Sequence, residues 1–248
     1  MKTMYLSENK LGIDYVVGDI HGKYTELYNQ LTKLGFDRKI DRLICVGDLI
    51  DRGNENFRCL EILTNDWFYS VFGNHEEMAI SVVEAKEHDP LIKAMNVYRD
   101  INGNGWFLDR PKHVQAVYAA AFETLPYLIE IEGPNNTKIG IAHAEIWTNS
   151  WKEIVESYHE RDKRHVIWGR EIPKLHRDRG IKTYKPVEGI DQVIHGHSTT
   201  PNPYRLGNRL YIDTGAYGSF TIMSLQECLE FKENDASGSA ENKPISDF

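Results

Sequence analysis

The chain has 248 residues, 41% hydrophobic and 27% charged, which suits a soluble globular protein large enough for a sizeable core. A formal net charge of −8 leaves no basic footprint for nucleic acid. Residues 1–10 carry no apolar signal core, no run of about 18 apolar residues occurs, and Cys45, Cys59 and Cys228 form no paired pattern; these argue against a membrane partner, a disulfide framework and a zinc-thiolate site, and a reduced cytoplasmic setting is the expectation.

Residues 13–17 form a short apolar run, read as a buried parallel-type strand. Tyr24, Leu27, Tyr28, Leu31 and Leu34 then recur at helical spacing, closed by Gly35 as a C-cap. A second strand is expected over 43–46, a helix over 54–63 with Phe57, Leu60 and Leu63 inward, a third strand over 67–72 and a third helix over 76–86. This β-α-β-α-β-α order is that of a layered α/β core. The middle differs. Asn102-Gly103-Asn104-Gly105-Trp106 reads as turn without a regular element. Residues 112–125 read as a helix with Val114, Val117, Tyr118, Ala121 and Phe122 inward. Strands over 127–131 and 137–142 flank Gly133-Pro134-Asn135-Asn136, a hairpin, so part of the sheet structure is antiparallel. Residues 147–189 read as a helix-and-loop excursion, and 192–194, 210–213 and 220–225 as further strands. From about residue 232 the composition turns polar and the tail is expected to be disordered, leaving one domain over 1–231.

One design recurs along this chain. Val16-Val17-Gly18-Asp19-Ile20-His21-Gly22, Cys45-Val46-Gly47-Asp48, Val71-Phe72-Gly73-Asn74-His75-Glu76 and Val193-Ile194-His195-Gly196-His197 each deliver a polar ligand-type residue where an apolar strand stops. Alone, an Asp after a strand is a turn or cap residue, and a His such as His143 is a structural histidine. Together, Asp19, His21, Asp48, Asn74, His143 and His197 are an oxygen-and-nitrogen ligand set suited to manganese, iron or zinc. Asp19 and His21 are two apart and can share a strand face. Asp48 can bridge two ions with its two oxygens. Two carboxylates and neutral ligands against two divalent ions leave a net positive centre, which is what a phosphate dianion needs.

These motifs, with Asp51-Arg52-Gly53 and Asn74-His75-Glu76, resemble the calcineurin-like metallophosphoesterases and, within them, the phosphoprotein phosphatase family. The stretches 102–107, 166–171 and 210–216 are similar to the lambda-type branch of its protein phosphatases, and the resemblance spans roughly residues 12–226. It implies an α/β fold of four layers: two mixed β-sheets packed as a central sandwich and flanked by helices. It implies Asp19, His21 and Asp48 on one metal and Asp48, Asn74, His143 and His197 on the other, with manganese as the expected ion. The family's Gly-His-Thr pattern matches Gly196-His197-Ser198, so His197 is the expected ligand and His195 a supporting or core residue. Nuclease-like relatives carry a further His where this chain has Thr199.

Two metals would generate hydroxide from a bridging water for direct attack on phosphorus, with no covalent phosphoenzyme. The leaving alkoxide needs a proton, and an imidazole is the usual donor near neutral pH. The resemblance gives that role to His75, oriented by Asp51, and the phosphate oxygens to Arg52 and Arg170. Guanidinium groups suit phosphate geometry. Asp213 and Tyr217 are left between supporting and structural roles. The expected substrates are phosphoserine and phosphothreonine in proteins or peptides, with phosphotyrosine and phosphohistidine accepted in lambda-type relatives. An alternative is hydrolysis of dinucleoside tetraphosphates, a branch with Ala-Arg-Gly and Asn-His-Asp at the corresponding motifs. A catalytically dead binding module would show broken ligands, and none is broken here.

Overall fold

The computed structural model describes residues 1–85 and 99–232. The expected tail after 232 and the last residue of the expected third helix, Lys86, lie outside the described residues. In chain order the elements are β1 (Thr3–Leu6), β2 (Asp14–Val17), α1 (Tyr24–Leu34), β3 (Arg42–Cys45), α2 (Asn56–Glu61), β4 (Phe68–Ser70) and α3 (Asn74–Glu84). Then come α4 (Arg99–Asn102), α5 (Gly105–Leu108), α6 (Lys112–Glu123), β5 (Leu128–Glu132), β6 (Lys138–Ala142), α7 (Trp151–Glu156), α8 (Glu160–Trp168) and α9 (Glu171–Arg179). β7 (Gln192–His195), β8 (Tyr204–Leu206), β9 (Arg209–Tyr211), β10 (Ile222–Ser224) and α10 (Leu225–Glu230) close the chain. Among the described residues no helix is long and apolar enough to cross a membrane.

The strands form two mixed sheets. The larger has the order β1-β5-β6-β7-β9-β8 and the smaller β10-β2-β3-β4. β5 and β6 are antiparallel, pairing Leu128 with Ala142, as the hairpin reading requires. β2, β3 and β4 run parallel, as do β6, β7 and β9. Alternation of side chains along each strand sets the layers. Val16, Ile44, Ile129, Ile139, Ile141 and Ile194 pack together between the sheets. Their neighbours Val17, Leu43, Cys45, Leu128, Ala142 and Val193 face the opposite way, into a core that includes Leu27 and Leu31 of α1, Cys59 and Leu60 of α2 and Ile154 of α7. Both faces of the central strands are therefore dry, which is why they read as continuous apolar runs. This is the expected sandwich with flanking helices.

Several local expectations need correction. Helix α2 stops at Glu61 and tightens into a 3-10 turn, Ile62–Thr64. Its buried face is Cys59 and Leu60, followed by Ile62; Phe57 and Leu63 are only half-buried. On α6, Phe122 is buried as expected, but Val117 is 66% exposed, and Gln115 and Ala119 share the inward face with Phe122. The helix turns that way because the Gln115 amide donates to the carbonyls of Phe107 (2.9 Å) and Leu108 (3.3 Å), tying α6 to the end of α5. The glycine-rich stretch 102–106, read as irregular, contains the end of α4 and the start of α5, joined by Gly103 at φ 69°. A Cβ at Gly103 would collide with the backbone of Arg52, so only glycine lets this segment lie on that residue.

Candidate metal centre

Because β2, β3, β4, β6 and β7 are mutually aligned within their sheets, their C-terminal ends deliver side chains to one rim of the sandwich. Asp19 and His21 follow β2, Asp48 to Arg52 follow β3, Asn74 and His75 open α3 after β4, His143 follows β6 and His197 follows β7. The structure brings all six expected ligands together, and all are buried. Five residues at this rim have a left-handed backbone: His21 (φ 46°), Asp48 (51°), Asp51 (72°), Arg52 (62°) and His197 (63°). Such conformations are uncommon outside glycine and persist where surrounding bonds over-determine them. Here His21 N–H donates to Asp48 O (2.9 Å) and Gly53 N–H to His21 O (3.0 Å).

Hydrogen bonds to carbonyls fix the imidazole tautomers. His21 donates from Nδ1 to Ile50 O at 2.9 Å, which leaves Nε2 bare; that atom is buried without a hydrogen-bond partner, 3.9 Å from Asp19 Oδ2 and 3.7 Å from Asp48 Oδ2. His143 donates from Nδ1 to Val46 O at 2.7 Å, so its Nε2 lone pair faces Asn74 Oδ1 at 2.9 Å and Asp48 Oδ1 at 3.3 Å. His197 Nδ1 lies 2.8 Å from the same Asn74 Oδ1. Electron-rich atoms gathered this closely, away from water, need a cation between them. Two donor constellations result, His21–Asp48–His75 and Asp48–His143–His197, with Asp48 common to both. Asp48 presents Oδ2 to one and Oδ1 to the other, the arrangement a bridging ligand requires. The residues present thus fit a pair of divalent ions.

The first constellation contains His75 where Asp19 was the expected third ligand; Asp19 Oδ2 lies 3.9 Å from His21 Nε2. His75 Nδ1 is engaged at 2.7 Å by Asp51 Oδ2, and its Nε2 is 3.8 Å from Asp48 Oδ2. Asp51 in turn accepts a bond at Oδ1 from Trp106 Nε1 (2.7 Å). This places a Trp106–Asp51–His75 chain beside the ligands. Asp19 is held by a backbone bond from His197 N–H to its carboxylate at 3.1–3.2 Å, linking the two sheets.

The electrostatics separate the two carboxylates. Burial, then Asp213 and Asp48, push the Asp19 carboxyl well above its usual range. Burial also opposes ionisation of Asp48, yet His143, His75 and His21 hold it well below the ordinary value. Burial lowers His75, but Asp48 and Asp51 overcome this and raise it above the ordinary imidazole value. Burial, followed by Arg52 and His75, holds His21 well below that value, and burial with His143 and Arg170 does the same to His197. Neutral imidazoles are the form that ligates metal.

Arg52 stands exposed at the rim, and Arg170 heads α9 from an exposed position where Asp19, Asp48 and Asp213 act on it. His195 is not among the convergent donors: it is fully buried, with Nδ1 3.1 Å from Ala142 O and its ring stacked on Tyr211. Burial and the nearby Arg209 push its pKa down to about 3, as suits a neutral core histidine.

Three contributors escaped the sequence reading of the site. Trp106 lies inside a turn-rich stretch, 55 residues from Asp51, with no pattern to connect them. Glu76 accepts from the backbone N–H groups of Asp48 (3.1 Å), Leu49 (2.9 Å) and Gly73 (3.0 Å), so it welds the β3 and β4 ends together. Its signal was present in Asn74-His75-Glu76 but was read only as a family mark. Asp213, left uncommitted, is buried beside Asp19 with an unpartnered Oδ2. A further donor group, Glu145, His165 and Glu171, lies around the start of α9. There Glu145 Oε2 accepts from Ile172 N–H at 3.0 Å and so anchors the first turn of that helix.

Comparison with known proteins agrees with this geometry. Residues 15–201 match the family described as Calcineurin-like phosphoesterase. The chain is 35% identical over 211 residues to "Serine/threonine-protein phosphatase 2" of Escherichia coli strain K12, covering 83% of this chain and 88% of that protein. It is 41% identical over 189 residues to "Bis(5'-nucleosyl)-tetraphosphatase, symmetrical" of Pasteurella multocida strain Pm70, covering 72% of this chain and 62% of that protein. A crystal structure described as a candidate diadenosine tetraphosphatase shares the fold with a TM-score of 0.62 at 22% identity, over 90% of this chain and 93% of that one. The chain belongs to the calcineurin-like phosphoesterases, phosphoric ester hydrolases that work with a dinuclear divalent-metal site.

Proposed function

We propose that this protein is a metal-dependent protein phosphatase acting on phosphoserine and phosphothreonine. The observation that carries this reading is the Trp106–Asp51–His75 chain, with 2.7 Å at each link, beside the ligand cluster. A serine or threonine alkoxide is a strongly basic leaving group and needs a proton donor. Asp51 keeps the His75 ring oriented through Nδ1, which leaves Nε2 facing the cluster as the proton-bearing atom. Trp106 occupies the second oxygen of Asp51, so the carboxylate cannot turn away from His75.

Asp19, His21 and Asp48 would hold one divalent ion, and Asp48, Asn74, His143 and His197 the other. The chemistry such a pair would supply when bound is activation of a water and offset of charge on the phosphoryl group. Manganese is the ion that the family resemblance implies; the mixed carboxylate, amide and imidazole set suits manganese, iron and zinc alike. Arg52 and Arg170 are the phosphate-oxygen donors, both at the rim where a guanidinium fork can reach a bound anion.

A second reading has specific support. The similarity to a dinucleoside tetraphosphatase named above makes nucleotide hydrolysis the alternative. Asp51 and Glu76 favour the phosphatase, because both differ from the tetraphosphatase pattern and both make several of the bonds that build the rim. The decisive experiment compares a phosphoserine peptide with a dinucleoside tetraphosphate on manganese-loaded protein. Faster turnover of the peptide is expected; clear preference for the nucleotide overturns the reading. Metal binding without turnover of p-nitrophenyl phosphate or either substrate would sink the catalytic claim itself.

A further inference from the structure

Beside the metal centre lies a cavity of about 280 Å³, of whose lining the hydrolytic reading uses Arg170 alone. One wall is helix α9: Arg170 at its cap, then Lys174 and Arg177 at four- and three-residue steps, which puts all three on one helical face. The opposite wall is the segment after His197, including Thr199 and Thr200, with Tyr217 beyond it. Among the described residues the lining holds three fixed positive charges and no carboxylate. In a chain of net charge −8, that is a local reversal of sign. Arg177 also pairs with its exposed neighbour Asp178 (2.8 Å), which does not line the cavity.

The basic wall is held rigidly. The His176 ring stacks on Tyr204 (4.2 Å, 8°), Tyr204 on Tyr211 (4.8 Å, 11°), and Tyr211 on His195 (5.0 Å, 26°). This column roots α9 in β8, β9 and β7, while the Glu145 bond to Ile172 N–H pins its first turn. With the helix backbone anchored, only the exposed side chains of Lys174 and Arg177 have to order on binding an anion. Arg170 belongs both to this cavity and to the field of Asp19 and Asp48, so the cavity opens next to the reacting phosphate.

We propose that this cavity is a second anion subsite that receives an acidic side chain near the phosphorylated residue, so that the preferred substrates are acidic phosphopeptides. The inference rests on the protein phosphatase reading and sharpens its substrate class. Its volume, at the lower edge of the about 300 to 1,000 Å³ of small-molecule pockets, gives room for a carboxylate side chain. Tyr204 has both ring faces covered, by His176 and Tyr211, and offers no platform for a base.

The test uses three phosphoserine peptides on manganese-loaded full-length protein, with glutamate, alanine or lysine flanking the phosphoserine. The acidic peptide should exceed the neutral one in kcat/KM by about tenfold, the worth of one charge-assisted hydrogen bond. That ratio should shrink as salt is raised. Lys174→Glu, which cuts the fixed charge of the lining from three positive to a net of one, should shrink the acidic preference severalfold, whereas Lys174→Arg should keep it; a merely structural role for Lys174 would change all peptides alike. Hydrolysis of the neutral peptide with no acidic preference, or a preference untouched by Lys174→Glu, overturns the subsite and leaves the phosphatase reading standing. Turnover of a dinucleoside tetraphosphate and of no peptide overturns both.

Discussion

Replacing Asp51 by asparagine tests the proposed proton donor most sharply. Asp51 accepts two buried bonds, one from Trp106 Nε1 and one from His75 Nδ1, each 2.7 Å long. An asparagine side chain has one acceptor oxygen and one donor nitrogen. It can satisfy Trp106 or the present His75 tautomer, but not both. One donor is then stranded, at about 1–3 kcal/mol, or His75 takes the neutral Nε2–H tautomer with Nδ1 as acceptor and the imidazolium form loses its support. The charge is lost as well. At an effective dielectric of about 20, opposite charges about 4 Å apart attract by about 4 kcal/mol. Losing that attraction lowers the pKa of the imidazole.

The sign follows from the burial-opposed but net upward shift of His75 by Asp48 and Asp51. A proton donor is active below its pKa, so activity falls as pH rises through it. Asp51→Asn lowers that pKa and moves the alkaline limb of kcat to lower pH. At neutral pH the loss should be roughly 100- to 1,000-fold, within the about 100- to 10,000-fold that a general acid contributes. The assay is the pH profile of kcat on p-nitrophenyl phosphate and on a phosphoserine peptide, with metal content and thermal melting as checks. A variant that binds metal normally and keeps both its alkaline limb and its kcat would refute the role given to the Asp51–His75 pair.

Asp48→Asn should empty both ion positions, because Asp48 alone is common to the two donor constellations; elemental analysis of the purified variant reads this, and retention of a full metal complement would contradict the bridging assignment. Chelation of the wild-type protein should abolish activity, and manganese should restore it. Gly47→Ala should lower stability by about 1–3 kcal/mol, since Gly47 sits at φ 105° and an added Cβ would lie 2.6 Å from His143 Nδ1; the same variant should lose metal, which a purely global destabilisation at low temperature would not cause. Ile141→Ala should cost about 2–5 kcal/mol in urea unfolding, because Ile141 is fully buried between the two sheets; a cost below about 1 kcal/mol would mean that the inter-sheet core is not packed as described.

Much of the centre was legible in the chain because its chemistry sits where local patterns break. An apolar run that stops at Gly-Asp or Gly-Asn marks both a strand and its end, and five parallel-type ends supply the donors. The antiparallel hairpin of β5 and β6 followed from its turn residues in the same way. The edge strands β1 and β8 were not legible, since each is three or four residues long and owes its pairing to the backbone of its neighbour. The facing of α6 was misread because Gln115, polar by composition, finds its partners on α5, and that shifts the buried stripe off Val117.

The sequence by itself determined the residue types of the centre, their delivery at strand ends and the alternation that dries both faces of each sheet. Only the tertiary structure decided that Trp106 locks Asp51, that Glu76 joins three backbone N–H groups, and that four stacked rings hold a basic helix face beside the rim. The reason is physical. Periodicity along a chain reports which side chains share a face, but contacts between residues far apart in sequence are chosen by packing, where the shape and polarity of both partners must be satisfied at once.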